Sequence, residues 1–140
     1  MARLRIASAC LIAAAFAGCA QVVVDGRNID GHTWRALSVD GRPTILGSEP
    51  TLRFERGVPQ GSGGCNSYGS GEPVRISFGA LEMPEMLMTV GACLGPNGDN
   101  LPVMAIESAY WNALNAGDRI GFRDDQLVIS GTAGEIVFSP

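Results

Sequence analysis

Two cysteines in the body of the chain, Cys65 and Cys93, are the residues best able to carry chemistry. Cys65 lies in a glycine-dense stretch, Gly-Gly-Cys-Asn-Ser-Tyr-Gly at 63–69, which predicts a tightly folded loop. In an oxidising compartment two such cysteines most simply form a disulfide. Two alternatives stay open: a pair of inert buried thiols, and a redox or nucleophilic thiol. Reactivity would need a cation or helix start to favour the thiolate, and His32, the only histidine, lies far away in the sequence.

Glu107 is the second candidate, because it is a carboxylate at the border of an apolar helical stripe. A carboxylate in that position either reaches solvent or needs hydrogen-bond donors. The backbone amides of the glycine-rich loop around Cys65 are able to supply them. We therefore predict that Glu107 supports this loop. A role as general acid or base is the alternative, but no second carboxylate is spaced to work with it.

Two groups of side chains resemble metal ligands. The thioethers of Met83, Met86 and Met88 suggest copper(I), but unbranched methionines also fill gaps in a small core, and the surrounding apolar residues favour that interpretation. The amides and carboxylate of residues 97–100 lack the ligand spacing of a calcium loop and are better explained as a turn before a helix. We therefore predict no metal, no cofactor and no catalytic residue.

The first 18 residues have the pattern of a secretion signal, with two arginines, an apolar stretch from Ile6 to Phe16 and small residues before Cys19. We predict cleavage before Cys19 and acylation of its sulfur, which would anchor the protein in a membrane. Ala20 at the next position favours the outer membrane, facing the periplasm. A soluble periplasmic protein, cleaved after a small residue, is the alternative. The apolar stretch is shorter than the roughly 20 residues of a membrane-spanning helix.

The mature chain is long enough for one domain, at about 120 residues. Eight of the ten basic residues remain after the signal is removed, against 14 acidic ones, which gives a net charge of −6. This balance, without any basic cluster, argues against nucleic acid as a partner. The 19 glycines and eight prolines are spread between short apolar runs, as is typical of many turns joining short strands.

Residues 19–32 are rich in turn formers and predict a tether, followed by a folded domain over 33–140. Within the domain, alternating apolar residues predict strands, and in one of them Val74, Ile76 and Phe78 are expected to face the core. The predicted strands are Trp34–Val39, Thr51–Glu55, Val74–Phe78, Arg119–Phe122, Gln126–Ser130 and Glu135–Phe138, of which the last three form a meander.

An amphipathic helix is predicted over Leu101–Ala116, because its apolar residues recur at helical spacing on one face. Asp99 or Asn100 is expected to cap its start, and Gly117 to close its end in a left-handed conformation. The whole pattern favours an α+β fold: a small curved antiparallel sheet or open barrel of about six or more strands with one packed amphipathic helix.

Several landmarks occur in a recognisable order. They are Trp34-Arg35-Ala36-Leu37, Gly-Cys-Asn-Ser-Tyr at 64–68, Thr89 to Cys93, Glu107-x-x-Tyr110-x-x-x-Leu114 and Leu127-Val128-Ile129. Together they resemble the META domain family, which includes the HslJ-type heat-shock lipoproteins. The resemblance spans nearly the whole mature module. It implies a compact antiparallel β structure with one packed helix, and a setting in heat shock, motility, antibiotic tolerance or virulence without a shared catalytic activity.

These observations predict an envelope-anchored, non-catalytic module that binds or has a structural role in the envelope stress response. The lipid on Cys19 would hold it to the membrane, and its partner would be an envelope protein or ligand. Asn66, Ser67 and Tyr68 in the glycine-rich loop are the predicted contact residues, since loops on rigid scaffolds often carry recognition. Two alternatives stay open: an inhibitor lipoprotein that blocks an envelope hydrolase with a protruding loop, and a periplasmic thiol enzyme.

Overall fold

The computed structural model describes residues 24–140. The predicted signal peptide, the lipidation site at Cys19 and the first part of the predicted tether, residues 19–23, lie outside the described residues. Within 24–140, no helix combines the length and the apolar character needed to cross a bilayer.

The described part of the chain folds into one antiparallel sheet with one long helix and a single helical turn. The helices are α1 (Gly26–Ile29) and α2 (Val103–Asn115). The strands are β1 (Thr33–Val39), β2 (Arg42–Pro43), β3 (Thr51–Glu55), β4 (Val58–Ser62), β5 (Ser67–Gly69), β6 (Arg75–Ser77), β7 (Ala80–Glu82), β8 (Leu87–Met88), β9 (Gly117–Arg123), β10 (Gln126–Gly131) and β11 (Gly134–Ser139). The sheet order is β6-β7-β9-β10-β11-β1-β3-β4-β5-β8, with β2 paired to β1.

The sheet curls around a core that α2 closes. α2 packs against β1, β10 and β11, and its Tyr110 and Leu114 are fully buried. The ring of Tyr110 meets that of Phe138 edge-on, with centroids 6.2 Å apart. Burying a large apolar side chain stabilises a fold by about 1.5–3 kcal/mol, so this helix face accounts for much of the attachment of α2 to the sheet.

Three tight turns fix the order of neighbouring strands. Asp40-Gly41, Arg56-Gly57 and Phe78-Gly79 each link two paired strands and have both residues at positive φ, at 49° and 73°, 51° and 79°, and 48° and 83°. This is the backbone of a type I′ hairpin turn, which matches the twist of the strands it joins. Asp-Gly is a strong hairpin signal in a sequence, whereas Arg-Gly and Phe-Gly carry a weaker one.

The predicted fold class is wrong. The described residues are mainly β, with an eleven-stranded sheet and one long helix, and not an α+β fold built on a small sheet or open barrel of about six or more strands. The difference comes from residues 58–88, where β4, β5, β7 and β8 have five residues or fewer and prolines and glycines lie in or between them. Such segments do not alternate cleanly, and they become strands because their neighbours in the sheet bond them. The predicted meander at the end of the chain is confirmed as β9, β10 and β11.

Phe78 was expected in the core with Val74 and Ile76, but it is 98% exposed. It occupies the first position of the β6–β7 turn, where φ is 48°. The strand therefore ends at Ser77, one residue before Phe78. Alternation alone cannot reveal where a strand stops when the next residue is also apolar.

The ends of α2 differ from the predicted ones. The N-cap position is Pro102 without a side-chain hydrogen bond, so neither Asp99 nor Asn100 caps the helix. Gly117 is not left-handed; it begins β9. A side chain at Gly117 would place its Cβ 2.6 Å from Cγ2 of Ile129, so glycine is needed there for close approach to β10.

The tether prediction needs correction for residues 24–32. Val24 and Ile29 are buried in the core, at 4% and 0% exposure. The backbone of Asp30 forms an isolated β-bridge with Phe54. The Asp30 carboxylate accepts hydrogen bonds from the amides of Arg56 and Gly57. These residues were assigned to a tether because glycine and aspartate dominate them, but two apolar side chains suffice to dock the segment on the sheet.

Candidate functional site

The glycine-rich loop between β4 and β5, residues 63–66, is held in place by Glu107. Glu107 projects from the middle of α2 and is only 3% exposed. One of its oxygens, Oε2, accepts hydrogen bonds from the backbone amides of Cys65 at 2.9 Å and Asn66 at 2.6 Å. The other, Oε1, accepts one from Nδ2 of Asn66 at 2.6 Å. We call this arrangement the Glu107 clamp.

The clamp satisfies a buried carboxylate without a cation. Among the described residues, the ion pairs join exposed arginines and glutamates elsewhere on the sheet, and none includes Glu107. A buried charge is tolerated when enough donors surround it. The three N–H groups are those donors, so the carboxylate orders the loop and the loop solvates the carboxylate.

Glycines at 63 and 64 make room for the clamp. A Cβ at Gly63 would lie 2.7 Å from both Cγ and Oε2 of Glu107. Gly64 has φ of 111° and a Cβ there would lie 2.8 Å from the carbonyl oxygen of Ser48. The first position is limited by space and the second by both space and backbone conformation. The glycine density that marked this loop in the sequence therefore has a local cause.

Asn66 extends the clamp to a second segment. Its Nδ2 donates to the carbonyl of Gly91 at 2.9 Å, and its Oδ1 accepts from the amide of Gly91 at 2.8 Å and from Oγ1 of Thr89 at 3.2 Å. Cys65 and Cys93 then join the same two segments through a disulfide, with Cα atoms 6.0 Å apart. One buried side chain and one covalent bond thus fix residues 89–93 against the loop.

Replacing both cysteines, Cys65→Ser with Cys93→Ser, is expected to lower the free energy of unfolding by about 3 kcal/mol, because the bond closes a long loop in the unfolded chain. The two cysteines are 28 residues apart. Urea unfolding should show a lower midpoint, and the wild-type protein with a reductant should match the double variant. Equal midpoints for oxidised wild type and double variant would contradict this prediction. The double variant should still fold, since the Glu107 clamp remains.

The predicted contact residues are not a recognition surface as a group. Asn66 and Tyr68 are buried, at 7% and 6% exposure, and only Ser67 is exposed. The side-chain amide of Asn66 donates hydrogen bonds to Glu107 and Gly91, and the side chain of Tyr68 belongs to the core. The loop does not protrude with exposed polar groups, because its polar atoms face α2 and residues 89–91. The prediction that these residues form an exposed contact surface is therefore wrong for Asn66, while Tyr68 offers only the small surface that lines a groove beside β8.

A pair of tyrosine hydroxyls lies behind the loop. Tyr68 and Tyr110 are 2.6 Å apart at their hydroxyl oxygens, and the Tyr68 hydroxyl donates to the carbonyl of Thr51 at 2.7 Å. Burial raises the pKa of both phenols above the usual value, and the neighbouring Tyr68 raises the pKa of Tyr110 further. The pair thus stays neutral and joins β3, β5 and α2 behind the Glu107 clamp.

These phenols make stability depend on alkaline pH, and the chain contains only these two tyrosines. Their pKa values are higher in the folded than in the unfolded state, where tyrosine titrates near pH 10. The stabilisation is therefore complete below about pH 10 and is lost as pH rises towards the folded-state values. We expect tyrosinate absorbance to appear only together with unfolding, as followed by circular dichroism. A tyrosinate transition near pH 10 in folded protein would contradict this.

The side chains that resemble metal ligands in the sequence have structural roles. Met86 is buried, and Met83 and Met88 pack against the core. Residues 95–99 form a turn in which the amide of Gly95 donates to the carbonyl of Asp99. Within the described residues, no three histidine, cysteine, aspartate or glutamate side chains are grouped to hold a metal ion. His32 stacks on Trp34, with ring centroids 5.9 Å apart.

Sequence reasoning missed three contributors to this site. Thr89 and Gly91 donate hydrogen bonds to the side chain of Asn66, and Gly61 in β4 lies close to the hydroxyl of Tyr68. Thr89 and Gly91 stood inside a motif already singled out, so their spacing before Cys93 was a usable signal. Gly61 had none, because nothing in its neighbourhood indicates what it contacts.

Comparison with known proteins gives a family and a fold. The family model of the META domain matches residues 27–139. A protein structure solved by NMR is similar, with a TM-score of 0.65 and 19% identity over 83% of this chain and 94% of that one. A second NMR structure, of a protein from Burkholderia xenovorans, has a TM-score of 0.55 and 24% identity over 80% and 82% of the two chains. No curated protein sequence matches.

Proposed function

The chain belongs to the META domain family, and we propose that it is an envelope-anchored, non-catalytic lipoprotein of this family, acting as a binding or structural module in the envelope stress response. Its order of motifs resembles that of the META family, which includes the HslJ-type heat-shock lipoproteins. The protein would then act through its surface and not through a catalytic pocket.

One observation supports the non-catalytic part: the reactive groups of the candidate site, the sulfurs of Cys65 and Cys93 and the carboxylate of Glu107, all hold the structure. Both sulfurs of Cys65 and Cys93 are in the disulfide. Both oxygens of Glu107 accept hydrogen bonds from the loop. A nucleophile needs a free thiolate, and a general acid or base needs a reachable proton site. Neither condition is met around the clamp, which favours a binding module over a thiol enzyme.

Two features support the envelope setting. The signal-like pattern ending at Cys19 is typical of exported lipoproteins. A disulfide between the two remaining cysteines of the mature chain suits an oxidising compartment and not a reducing cytosol. The net charge of −6 after removal of the signal also favours protein or ligand partners over nucleic acid.

The anchor is tested by fractionation of cells that make the protein with Cys19 or with Cys19→Ala. We expect the first in the membrane fraction, with an acyl mass increment on the mature chain. The Cys19→Ala protein should be absent from the membrane fraction or remain unprocessed. Recovery of the wild-type protein in the cytosol, with free thiols and its initiator methionine, would overturn the proposal.

The non-catalytic role is tested by rescue of a deletion strain under heat or antibiotic stress. A Cys65→Ser, Cys93→Ser variant should still rescue at a temperature where it remains folded, while Cys19→Ala should not. A thiol enzyme would show the opposite dependence. Circular dichroism of the purified variants at the same temperature establishes that both are folded.

A further inference from the structure

The sheet ends at β8, and residues 87–91 present an open edge. β8 is the last strand in the sheet order and pairs with β5 alone. The pairing continues past β8, because the amide of Thr89 donates to the carbonyl of Ser67 at 2.9 Å. In an antiparallel pair alternate residues turn their backbone groups away from the partner. The N–H and C=O groups of Met88 and Val90 therefore face outward. We call residues 87–91 the β8 edge.

The β8 edge also displays apolar side chains. Leu87 is 75% exposed and Val90 is 100% exposed. Among the described hydrogen bonds, none involves the backbone N–H or C=O of Val90. Natural sheets usually shield an edge with charge, proline or a covering segment. Within residues 24–140 nothing covers Leu87 or Val90, and the side chain of Asn66 and the disulfide attach this edge to the glycine-rich loop.

Two grooves flank Leu87 on the surface of β5 and β8. One, of about 490 Å³, is lined by Gly69, Ser70, Gly71, Glu72, Glu85 and Leu87. The other, of about 410 Å³, is lined by Ser67, Tyr68, Gly69, Leu87, Met88 and Thr89. The grooves exist because glycines at 69 and 71 leave no side chains beside Leu87. The two grooves adjoin, since Gly69 and Leu87 line both of them.

The first groove carries negative charge. Glu72 and Glu85 are exposed, and within the described residues neither belongs to an ion pair. The second groove contains no charged side chain. A ligand that complements both grooves has a basic side chain for the first groove next to an apolar side chain for the second.

We propose that the β8 edge binds an extended peptide segment of a partner protein as an added strand. Backbone hydrogen bonds to Met88 and Val90 supply affinity, and the grooves select an apolar side chain over the Tyr68 and Met88 side and a basic one beside Glu72 and Glu85. This deepens the proposed function, since it names the chemistry of the partner that the binding module takes.

A second copy of the chain is the less suitable occupant. Two copies paired edge to edge would join two domains of net negative charge, and residues 87–91 offer no basic side chain to Glu72 and Glu85 of the other copy. A basic peptide meets the same edge without this repulsion.

The test uses the full-length protein in mild detergent and three fluorescent peptides: alternating valine and arginine, alternating valine and glutamate, and the arginine peptide with alternate backbone amides methylated. We expect the arginine peptide to bind and the other two to bind at least about tenfold more weakly. In amide NMR spectra, the largest shifts should fall on Met88 and Val90. Because these measurements need neither membrane anchor nor stress phenotype, they can fail while the proposed function stands.

Variants locate the site. Glu72→Gln with Glu85→Gln should weaken the arginine peptide about fivefold at low salt, in line with two exposed charge pairs. Asp125→Asn with Asp124→Asn removes two charges from the distant β9–β10 turn and should change affinity less than twofold, roughly the weight of screened charges. Unchanged binding of the methylated peptide, equal losses in both variants, self-association through the edge, or absence of peptide binding would each overturn the proposal.

Discussion

Replacing Glu107 by alanine is expected to lower the free energy of unfolding by about 3–5 kcal/mol, one of the largest single effects in this protein. The change leaves the amides of Cys65 and Asn66 and the Nδ2 of Asn66 without an acceptor in a buried place. Each unsatisfied buried donor costs about 1–3 kcal/mol, and the cavity adds to this. Urea unfolding of the oxidised proteins measures the difference.

Glu82→Ala is the matched control for this prediction. Glu82 is exposed on β7 and its contact with Arg75 is a 3.5 Å surface pair, so its loss should cost no more than about 0.5 kcal/mol. Glu107→Gln keeps the shape but turns one acceptor into a donor, and should fall between the two. A Glu107→Ala midpoint equal to that of Glu82→Ala would show that the clamp contributes nothing.

Gly61→Ala is expected to destabilise the fold by about 4 kcal/mol, at the upper end for overpacking. A Cβ at Gly61 would lie 1.9 Å from the carbonyl oxygen of Thr51 and 2.8 Å from the hydroxyl of Tyr68. The first contact is with backbone, so β3 and β4 must separate. The same movement pulls Thr51 away from the hydroxyl that donates to it. Thermal and urea unfolding measure the loss.

Gly121→Ala separates this crowding from the general effect of adding a methyl group to a strand. Gly121 lies in β9 with no atom within 4 Å of a built Cβ, so alanine there should be neutral or stabilise by up to about 1 kcal/mol through the unfolded chain. If both variants had the same midpoint, the close approach at Gly61 would not be the cause.

The parts of the fold that were predictable are those with a strong period. The last three strands place apolar residues at alternate positions, as at Ile136 and Phe138, and α2 repeats its apolar residues at helical spacing over 13 residues. β4 reads Val-Pro-Gln-Gly-Ser, which carries no strand signal of its own. It pairs on both sides with β3 and β5, so its conformation is set by neighbours and not by propensity.

The candidate site was predictable in residue types and not in orientation. A lone helical carboxylate beside a glycine-rich loop pointed to Glu107, and two cysteines pointed to a pair. Whether Asn66 faces inward depends on Thr89, Gly91 and Glu107, which lie 23 to 41 residues away in sequence. The polar side chain of Asn66 favours an exposed position, but its hydrogen bonds to Glu107 and Gly91 hold it in the interior.

The position of β11 has a consequence for synthesis and export. β11 lies between β10 and β1, pairing Ile136 with Ile129 on one side and with Val39 on the other. Residues 134–139 thus join the part of the sheet formed by β9 and β10 to the part that begins with β1 and β3. A polypeptide that emerges from its amino end cannot complete this sheet until these residues have emerged. A partner that recognises the completed sheet would therefore not bind chains that have only partly emerged.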